Sequence, residues 1–274
     1  MCPKFYVGDS RNILEFIKEN SIDLVVTSPP YPMIAMWDNV FCEMLPDEEK
    51  KDTKKWTEKN AFDVFELMHQ CLDIVWRQLK KITKKGSIVV INIGDATRSI
   101  NGCFFLFPNA ARATIGMIHA GFTPLPNIYW KKPTNKPNAF LGSGFYPVNA
   151  YVTLDCEHIL IFRNGDKRKF PPKDSNREAC KFSREERNLW FSQIWSIPGS
   201  VQKIIGGRRS AAFPREIPYR LIRMFSVLGD MVLDPFVGTG TTALVASQLG
   251  RQGIGIDIDK KFIKEAKHRK KTDF

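Results

Sequence analysis

A strand, a glycine-containing turn and a helix follow one another within residues 231–249, and this order most constrains how the chain can fold. The first four of these residues are Met-Val-Leu-Asp, a short apolar segment typical of a buried strand. Gly238 and Gly240 follow it, and helical spacing then continues up to Gly250, which is placed to end the helix. Glycines between a strand and a helix N-terminus let a ligand approach bare backbone and free N–H groups. The segment therefore predicts a ligand site.

A second predicted strand, residues 253–258, supports this interpretation because it carries an acid at its end. In nucleotide-type folds, an acid in the place of Asp257 accepts hydrogen bonds from ribose hydroxyls. The same aspartate could instead cap the helix predicted to begin after residue 259. Both roles stay open at this stage.

A buried strand near the N-terminus leads directly into a proline-rich segment. Residues 22–26 are apolar on both faces, as parallel strands covered by helices tend to be. The tetrapeptide Ser-Pro-Pro-Tyr follows at residues 28–31, and two prolines cannot continue a strand. The chain must leave the sheet there, at the carboxyl edge where open α/β sheets hold their ligands.

Further strands and amphipathic helices indicate one large α/β domain, which 274 residues can form with room for a sizeable insertion. Residues 32–60 lack a regular pattern and are predicted to form a long loop beside the site. The other predicted strands are residues 4–7, 86–93 and 157–162, and the other predicted helices are residues 62–79, 107–120, 214–228 and 260–271.

The charge balance favours a polyanionic partner. The chain has 41 Lys and Arg against 29 Asp and Glu, a formal net charge of +12, and an isoelectric point near 9.4. Basic side chains bind phosphates with release of counterions, although a generally basic surface would give the same total. No apolar run approaches the roughly 20 residues of a membrane-spanning helix.

Cysteine and histidine spacing argues against a metal site. The six cysteines are scattered without a C-x-x-C pair, and the four histidines form no H-E-x-x-H pattern. Single scattered thiols fit a reducing cytoplasm, and the N-terminus lacks the apolar core of a signal peptide. The expectation is a cytoplasmic protein that holds no metal.

Basic residues alternate with aromatic ones in two irregular stretches, residues 131–157 and 163–215. This combination is the expected pattern of a nucleic-acid groove, and a solvated basic face is the alternative. The basic residues of the two stretches include Lys131, Lys132, Lys136, Arg163, Lys167, Arg168, Lys169, Lys173, Arg208 and Arg209.

Two motifs together resemble the amino-methyltransferases that act on DNA. They are Ser-Pro-Pro-Tyr at residues 28–31 and Asp-Pro-Phe-Val-Gly-Thr-Gly at residues 234–240. The tetrapeptide precedes the glycine segment, and this permuted order is similar to the β group of those enzymes. Gly-Asp at residues 8–9, residues 210–222 and Gly-Ile-Asp at residues 255–257 also resemble family segments, so the likeness extends over most of the chain. The family often has His-Pro where this chain has Ser-Ala at the start of residues 210–222.

The resemblance implies a doubly wound, mostly parallel, Rossmann-like sheet with an inserted target-recognition region. It divides the chain into a catalytic half (residues 1–130), a target-recognition insert (residues 131–209) and a cofactor-binding half (residues 210–274). The strand at residues 157–162 could belong to the core sheet. The implied cofactor is S-adenosyl-L-methionine. Its expected contacts are Asp9, Asp234, Pro235, Phe236, Gly238, Gly240, Thr241 and Asp257. For Asp9, a role as a helix cap is an equal alternative.

The resemblance also implies the chemistry of the tetrapeptide, whose catalytic residues would be Ser28, Pro29, Pro30 and Tyr31. An exocyclic amino group is a poor nucleophile because its lone pair conjugates with the ring. The Ser28 hydroxyl and the Pro29 carbonyl can hold the two amino protons and expose that lone pair. The Tyr31 ring can stack on a base turned out of the duplex.

The expected activity is site-specific methylation of cytosine N4 in double-stranded DNA, because Ser at the first motif position accompanies that target more often. Adenine N6 is the alternative base. Methylation of RNA or of a protein amide, and a non-catalytic nucleic-acid-binding module, are lower-ranked alternatives. The expected DNA contacts are Lys131, Lys132, Arg208 and Arg209. A monomer or homodimer is expected, with a cognate restriction endonuclease as a possible functional partner.

Overall fold

An eight-stranded sheet built from both halves of the chain forms the centre of the molecule. The computed structural model describes residues 2–45, 57–133, 141–201, 204–205 and 207–269. The strands are β1 (Lys4–Val7), β2 (Ile22–Thr27), β3 (Thr83–Ile93), β4 (Ala96–Ile100), β5 (Cys103–Phe107), β6 (Thr123–Lys131), β7 (Leu141–Gly142), β8 (Ala150–Tyr151), β9 (Cys156–Arg163), β10 (Ile194–Ser196), β11 (Ile204–Ile205), β12 (Arg208–Arg209), β13 (Met231–Asp234) and β14 (Gln252–Asp257). The order in the main sheet is β1-β14-β13-β2-β3-β9-β6-β10.

The direction of the strands determines which loops meet at one edge. From β1 to β3 all neighbours pair in parallel, whereas β9 is antiparallel to both β3 and β6. The strand β6 therefore runs in the same direction as β3, and β10 is parallel to β6. As a result, the carboxyl ends of β2, β3, β6, β13 and β14 lie at one edge, together with the start of β9. The other described strands form three two-stranded ribbons, β4–β5, β7–β8 and β11–β12.

Helices cover the sheet on both faces. They are α1 (Asp38–Met44), α2 (Ala61–Ile82), α3 (Asn109–His119), α4 (Ser175–Glu178), α5 (Arg184–Trp190), α6 (Glu216–Phe225), α7 (Thr241–Gln248) and α8 (Lys260–His268), with short 3₁₀ segments at Ser10–Glu15 and Ala35–Trp37. Side chains alternate across a strand, so Val25 faces a cluster built mainly by α2 and α3, whereas Leu24 and Val26 face a cluster that includes α6 and α7. This is the doubly wound α/β arrangement that the sequence predicts.

Most predicted elements are present, but the predicted long loop at residues 32–60 is wrong for its first part. That part contains the 3₁₀ segment Ala35–Trp37 and α1, which buries Val40 and Phe41 against the core. A helix of seven residues gives too few turns for its apolar spacing to be recognised. Residues 46–56 of the same stretch, and Lys136, lie outside the described residues.

The strand within the predicted insert belongs to the main sheet, which is the arrangement that the sequence left open. This strand, β9, lies between β3 and β6. Because β9 is antiparallel, the residues that follow it emerge at the edge opposite to Lys131 and Lys132. There Arg168 contacts Asp230 at 2.7 and 3.0 Å, just before β13 begins. The basic residues that follow β9 therefore lie at the edge of the sheet opposite to Lys131; they include Lys167, Arg168, Lys169 and Lys173.

A helix long and apolar enough to cross a lipid bilayer is not found in the part of the chain that the structure describes.

Candidate active site

A cavity of about 490 Å³ opens at the carboxyl edge of the sheet, in the size range of small-ligand sites. It brings together the proline-rich segment after β2 and the glycine segment after β13, which are about 200 residues apart in the chain. The predicted site residues that line it are Asp9, Ser28, Pro29, Pro30, Tyr31, Lys132, Asp234, Pro235, Phe236, Gly238, Thr241 and Asp257. Gly240 and Lys131 are not among its lining residues.

The two motifs are joined at their bases by the buried carboxylate of Asp234. It accepts hydrogen bonds from the Thr27 hydroxyl at 2.7 Å, the Thr242 hydroxyl at 2.8 Å and the Phe236 backbone N–H at 3.0 Å. Thr27 immediately precedes the tetrapeptide, and Thr242 lies in the first turn of α7. Burial raises the pKa of Asp234 from its usual value of 3.8 to about 6. Asp234 therefore holds the two motifs in register, and this contact is a structural one.

The two glycines of the turn have different surroundings. Gly238 has a positive φ of +51°, and a Cβ added there would meet no described atom within 4 Å. Gly240 has φ +88° and precedes α7, but an added Cβ would lie 2.9 Å from Ala266 and 3.1 Å from the Phe5 ring. Gly238 thus leaves open space in the cavity, whereas Gly240 is required for the turn and for close packing behind it.

Asp257 is tied to the glycine turn. Its carboxylate accepts hydrogen bonds from the Gly238 N–H at 2.9 Å and the Asp259 N–H at 2.9 Å. The side chain that caps α8 is Asp259, which accepts from the Lys261 N–H at 2.8 Å. The alternative role of Asp257 as the cap of α8 is therefore wrong.

Asp9 does have the capping role left open by the sequence. Its carboxylate accepts from the Arg11 N–H at 2.8 Å and from the Arg11 guanidinium at 2.9 and 2.6 Å, at the start of the 3₁₀ segment. Next to it, the Ser10 hydroxyl donates to the Pro235 carbonyl, which connects the end of β1 to the glycine segment. Asp9 also lines the cavity, so capping does not remove it from the site.

A hydrogen-bonded cluster surrounds the hydroxyl of Tyr31. Ser28 Oγ lies 3.0 Å from Tyr31 Oη, and Tyr31 Oη donates to Glu157 Oε2 at 2.9 Å. Asn92 Nδ2 donates to Tyr31 Oη at 2.8 Å and to Glu157 Oε2 at 2.6 Å. Burial and the negative charge of Glu157 raise the pKa of Tyr31 well above its usual value, so the phenol stays protonated.

Asn92 and Glu157 line the cavity and were missed by the sequence reasoning. Asn92 lies near the carboxyl end of β3, and Glu157 lies at the start of β9. The position of Asn92 was detectable in principle, because it interrupts an apolar strand just before that strand ends. Glu157 gave no local signal, since its place depends on the antiparallel direction of β9.

Lys132 belongs to this cluster. Its ammonium group pairs with Glu157 Oε1 and lies 4.6 Å from the centre of the Trp130 ring. It was predicted to bind DNA phosphate, but it faces the cavity beside the tetrapeptide. Lys131 is more exposed and lies 3.7 Å from Asp155. Arg208 and Arg209 form β12, paired with β11, in the segment that follows the carboxyl end of β10.

Within the described ranges, no group of three or more His, Cys, Asp or Glu side chains could hold a metal ion. The chemistry available at the site is that of a hydroxyl, a phenol, a buried amide, a carboxylate and an ammonium group around one cavity.

Comparison with known proteins gives a consistent result. A family model described as a DNA methylase of the N6 and N4 type matches residues 22–268. The Type II methyltransferase M.MjaI of Methanocaldococcus jannaschii is 54% identical, with 94% of this chain and 87% of that protein covered. The Type II methyltransferase M.MthZI of Methanothermobacter thermautotrophicus is 43% identical, with 94% and 74% covered.

Solved structures agree on the fold. A putative DNA modification methylase from Thermus thermophilus, solved in complex with S-adenosyl-L-methionine, superimposes with a TM-score of 0.75 at 32% identity, covering 98% of this chain and 93% of that one. The PvuII DNA methyltransferase, described as cytosine-N4-specific, gives a TM-score of 0.65 at 21% identity, covering 98% and 88%, and shows the shared fold alone. The chain therefore belongs to the β group of DNA amino-methyltransferases, the S-adenosyl-L-methionine-dependent DNA methylases of the N6 and N4 type.

Proposed function

We propose that the chain methylates the exocyclic N4 of cytosine in duplex DNA, after the target base turns out of the helix into the cavity. The observation that carries the proposal is Ser28 at the head of the tetrapeptide, in the same cavity as the glycine turn. In the family that the sequence resembles, serine at this position accompanies cytosine N4 more often, and a carboxylate accompanies adenine N6. Ser28 therefore supplies a hydroxyl, and not a carboxylate, at this motif position.

The glycine side of the cavity fits S-adenosyl-L-methionine. The space left by the missing side chain of Gly238 allows a ligand to lie against the backbone there. Asp257 is held beside that backbone by the Gly238 N–H, where its carboxylate can accept hydrogen bonds from ribose hydroxyls. Pro235, Phe236 and Thr241 line the same region. When bound, the cofactor supplies a methyl group on a sulfonium, which is a good leaving group.

The other side of the cavity fits a flipped base. The ring of Tyr31 offers a stacking surface, and the prolines before it rigidify the backbone that carries the Pro29 carbonyl. Ser28 Oγ and this carbonyl would accept the two amino protons and localise the nitrogen lone pair for attack on the methyl group. Most of the acceleration would come from holding the two reactants in line.

Topology supports duplex DNA as the substrate at this edge. The carboxyl ends of β6 and β10 both lie beside the cavity. Lys131 is the last residue of β6, and residues 208–209 belong to the segment that follows β10. The molecule would work where DNA lies, in the cytoplasm of a bacterial or archaeal cell. A restriction endonuclease of the same specificity would be a functional partner, as the Type II names of the relatives suggest.

Nucleoside mass spectrometry tests the proposal. Genomic DNA methylated by the purified protein and S-adenosyl-L-methionine is digested to nucleosides, and sequencing of the same DNA gives the target site. The expected product is N4-methylcytosine. N6-methyladenine as the main product would reassign the target base, and methylation of RNA without methylation of DNA would reject the proposal. The catalytically impaired variant Ser28→Ala serves as the control for contaminating activity.

A further inference from the structure

The donor and the acceptor of each hydrogen bond around Tyr31 can be assigned by counting the protons that are available. An ionised carboxylate has no proton to donate, so the Asn92 side chain must present its amide nitrogen to Glu157 Oε2, at 2.6 Å. The second hydrogen of the same amide points to Tyr31 Oη, at 2.8 Å. Asn92 is therefore a donor to both groups, and its position is fixed because the side chain is buried.

The single proton of Tyr31 is then assigned. Glu157 Oε2 lies 2.9 Å from Tyr31 Oη and can only accept. Once the phenol donates its proton to this carboxylate, its contact with Ser28 at 3.0 Å can be a hydrogen bond only if Ser28 is the donor. The serine proton thus points away from the substrate side of the cavity, which leaves the Ser28 lone pairs free to accept an amino proton.

We propose that Ser28, Tyr31 and Glu157 form a proton relay that carries the proton released by the methylated amino group to the Glu157 carboxylate. This inference rests on the proposed function. In this relay Glu157 acts through Tyr31 and does not touch the substrate. It supplies the carboxylate that is absent from a tetrapeptide beginning with serine.

Atoms and charge balance in this step. The amino nitrogen forms a bond to the methyl carbon as the sulfur–carbon bond breaks, and the sulfur keeps the electron pair and becomes a neutral thioether. The nitrogen is now positively charged and gives one proton to Ser28 Oγ. The serine proton moves to Tyr31 Oη, and the tyrosine proton moves to Glu157 Oε2. The products are a neutral methylated amine, an unchanged serine and tyrosine, and a protonated Glu157, which later loses its proton to water.

The surroundings of Glu157 suit the end of such a relay. Its second oxygen, Oε1, pairs with the Lys132 ammonium group, so a positive charge lies directly beside the carboxylate. The Lys132 side chain is 39% exposed and Glu157 is 16% exposed, so water can reach the pair from the cavity mouth. Tyr31 gives its proton to Glu157 and receives another from Ser28, so its phenol carries no lasting charge.

A purely structural role for Glu157, holding the Tyr31 ring in place, is the competing explanation. Glu157→Gln separates the two, because glutamine keeps an oxygen that can accept from Tyr31 but cannot take up a proton. Tyr31→Phe keeps the stacking ring and removes the relay. Asp155→Asn is the matched control, since it loses one negative charge two residues away and lies outside the relay.

Single-turnover methyl transfer at saturating DNA and cofactor is the central measurement. We expect Glu157→Gln and Tyr31→Phe each to lower the rate by about 10²-fold or more, as for the loss of general-base assistance. The double variant should be within about threefold of the slower single variant, because groups in one relay act as a unit. Asp155→Asn should stay within about twofold of the unchanged protein. A normal rate in Glu157→Gln, or multiplied losses in the double variant, would overturn the relay.

The pH profile distinguishes proton uptake from positioning. A relay that ends on the Glu157 carboxylate should make the transfer rate fall in acid, and this fall should be missing in Glu157→Gln. The groups that face Glu157 are Lys132, Tyr31 and the neutral Asn92, and the neighbouring pairs His158–Asp95 and Lys131–Asp155 remain in the variant. An unchanged acid limb in Glu157→Gln would therefore reject Glu157 as the proton acceptor.

Two measurements that do not depend on turnover complete the test. Calorimetric affinity for S-adenosyl-L-methionine and 2-aminopurine fluorescence, which reports base flipping, should both be unchanged in Glu157→Gln. A loss of either would show that Glu157 acts through binding and would overturn the relay. Failure of the proposed function would be seen separately, as the absence of N4-methylcytosine in DNA treated with the unchanged protein. If that protein methylates adenine N6, the same variants test the relay on that amino group.

Discussion

Gly238 and Gly240 lie two residues apart in the glycine turn, yet they contribute to different properties. Both have positive φ, so an alanine at either position costs about 1 kcal/mol of backbone strain. We expect Gly238→Ala to weaken S-adenosyl-L-methionine binding at least tenfold with only that small stability loss, because its new methyl group enters the open cavity. Gly240→Ala should instead lower the free energy of unfolding by about 1–3 kcal/mol, because its methyl group meets Phe5 and Ala266.

Calorimetry of cofactor binding and urea unfolding of both variants check this contrast, and each variant is the control for the other. Normal cofactor affinity in a folded Gly238→Ala protein would contradict the placement of the cofactor against this backbone. The simpler expectation from sequence, that both glycines contact the cofactor, predicts similar affinity losses for the two variants.

Asp234 should make the protein less stable as the pH rises from about 4 to 6. Its pKa is raised by burial, from 3.8 to about 6, so the folded state binds the proton more tightly than the unfolded state in this interval. The stabilisation from the bound proton is complete below pH 4 and is lost as the pH passes 6. A shift of this size corresponds to about 3 kcal/mol.

Asp234→Asn keeps the acceptor for Thr27 and Phe236 and removes the titration. Urea unfolding of both proteins across this pH range gives the stability difference between them, in which contributions from other groups cancel. The unchanged protein should lose about 2–3 kcal/mol relative to the variant between pH 4 and 6. A difference that is constant with pH would show that Asp234 is already ionised throughout.

At the scale of elements, α2 and α3 position the loops that carry the site. Buried Asn109 at the start of α3 donates to the carbonyls of Pro32 and Gly94, each at 3.0 Å. Its oxygen lies 3.0 Å from Nε2 of His69 on α2, and burial lowers the pKa of His69 to about 4, so this ring is neutral near pH 7. The loop after the tetrapeptide and the loop after β3 are thus held by one amide.

Asn109→Ala should therefore affect catalysis from outside the cavity. It leaves several buried polar groups without a partner, each costing about 1–3 kcal/mol, so we expect a stability loss of about 2–4 kcal/mol. The transfer rate should fall while cofactor affinity is retained, because the glycine turn is untouched. Thr114→Ala, which removes one hydrogen bond within the same helix, is the control and should cost about 1 kcal/mol or less. Equal rates in the two variants would contradict the positioning role of Asn109.

The same elements show what could be predicted from the sequence. The positions of β2, β13 and β14 followed from apolar runs that end at glycine, proline or acid, because such signals are local. The direction of β9 did not, since parallel and antiparallel pairing have the same periodicity along one strand. Because β9 is antiparallel, Glu157 at its start lies in the site, whereas Arg168 after its end lies at the opposite edge of the sheet. Wherever a site residue depends on strand direction, a single sequence gives no local signal for it.

At the scale of the whole molecule, the order of the strands in the sheet differs from their order along the chain. The pairing of β13 with β2, Val232 with Leu24 and Leu233 with Val25, brings the end of the chain beside its beginning. The hydrogen bond from Thr27 to Asp234 then joins the two motifs directly. The pairing of β13 with β2 therefore brings the two halves of the site together, although they are far apart in the chain.

The basic residues of the two irregular stretches lie at opposite edges of the sheet, and only one of these edges should contribute to DNA binding. Lys131 and residues 208–209 belong to segments at the cavity edge, whereas Lys167, Lys169 and Lys173 are exposed after the far end of β9. Lys132 belongs to neither set because it pairs with Glu157 inside the cavity.

Two triple variants test this division, because they remove the same total charge from opposite edges. Every DNA phosphate that a protein no longer neutralises should lower the log–log slope of affinity against salt by about 0.9. The variant Lys131→Ala, Arg208→Ala, Arg209→Ala should therefore lower the slope by about 2–3. The variant Lys167→Ala, Lys169→Ala, Lys173→Ala should leave it unchanged. Fluorescence anisotropy with a cognate duplex between about 50 and 200 mM salt gives both slopes. Equal slope changes in the two variants would mean that affinity follows net charge alone, and a larger change from the far-edge variant would move the DNA to the opposite edge of the sheet.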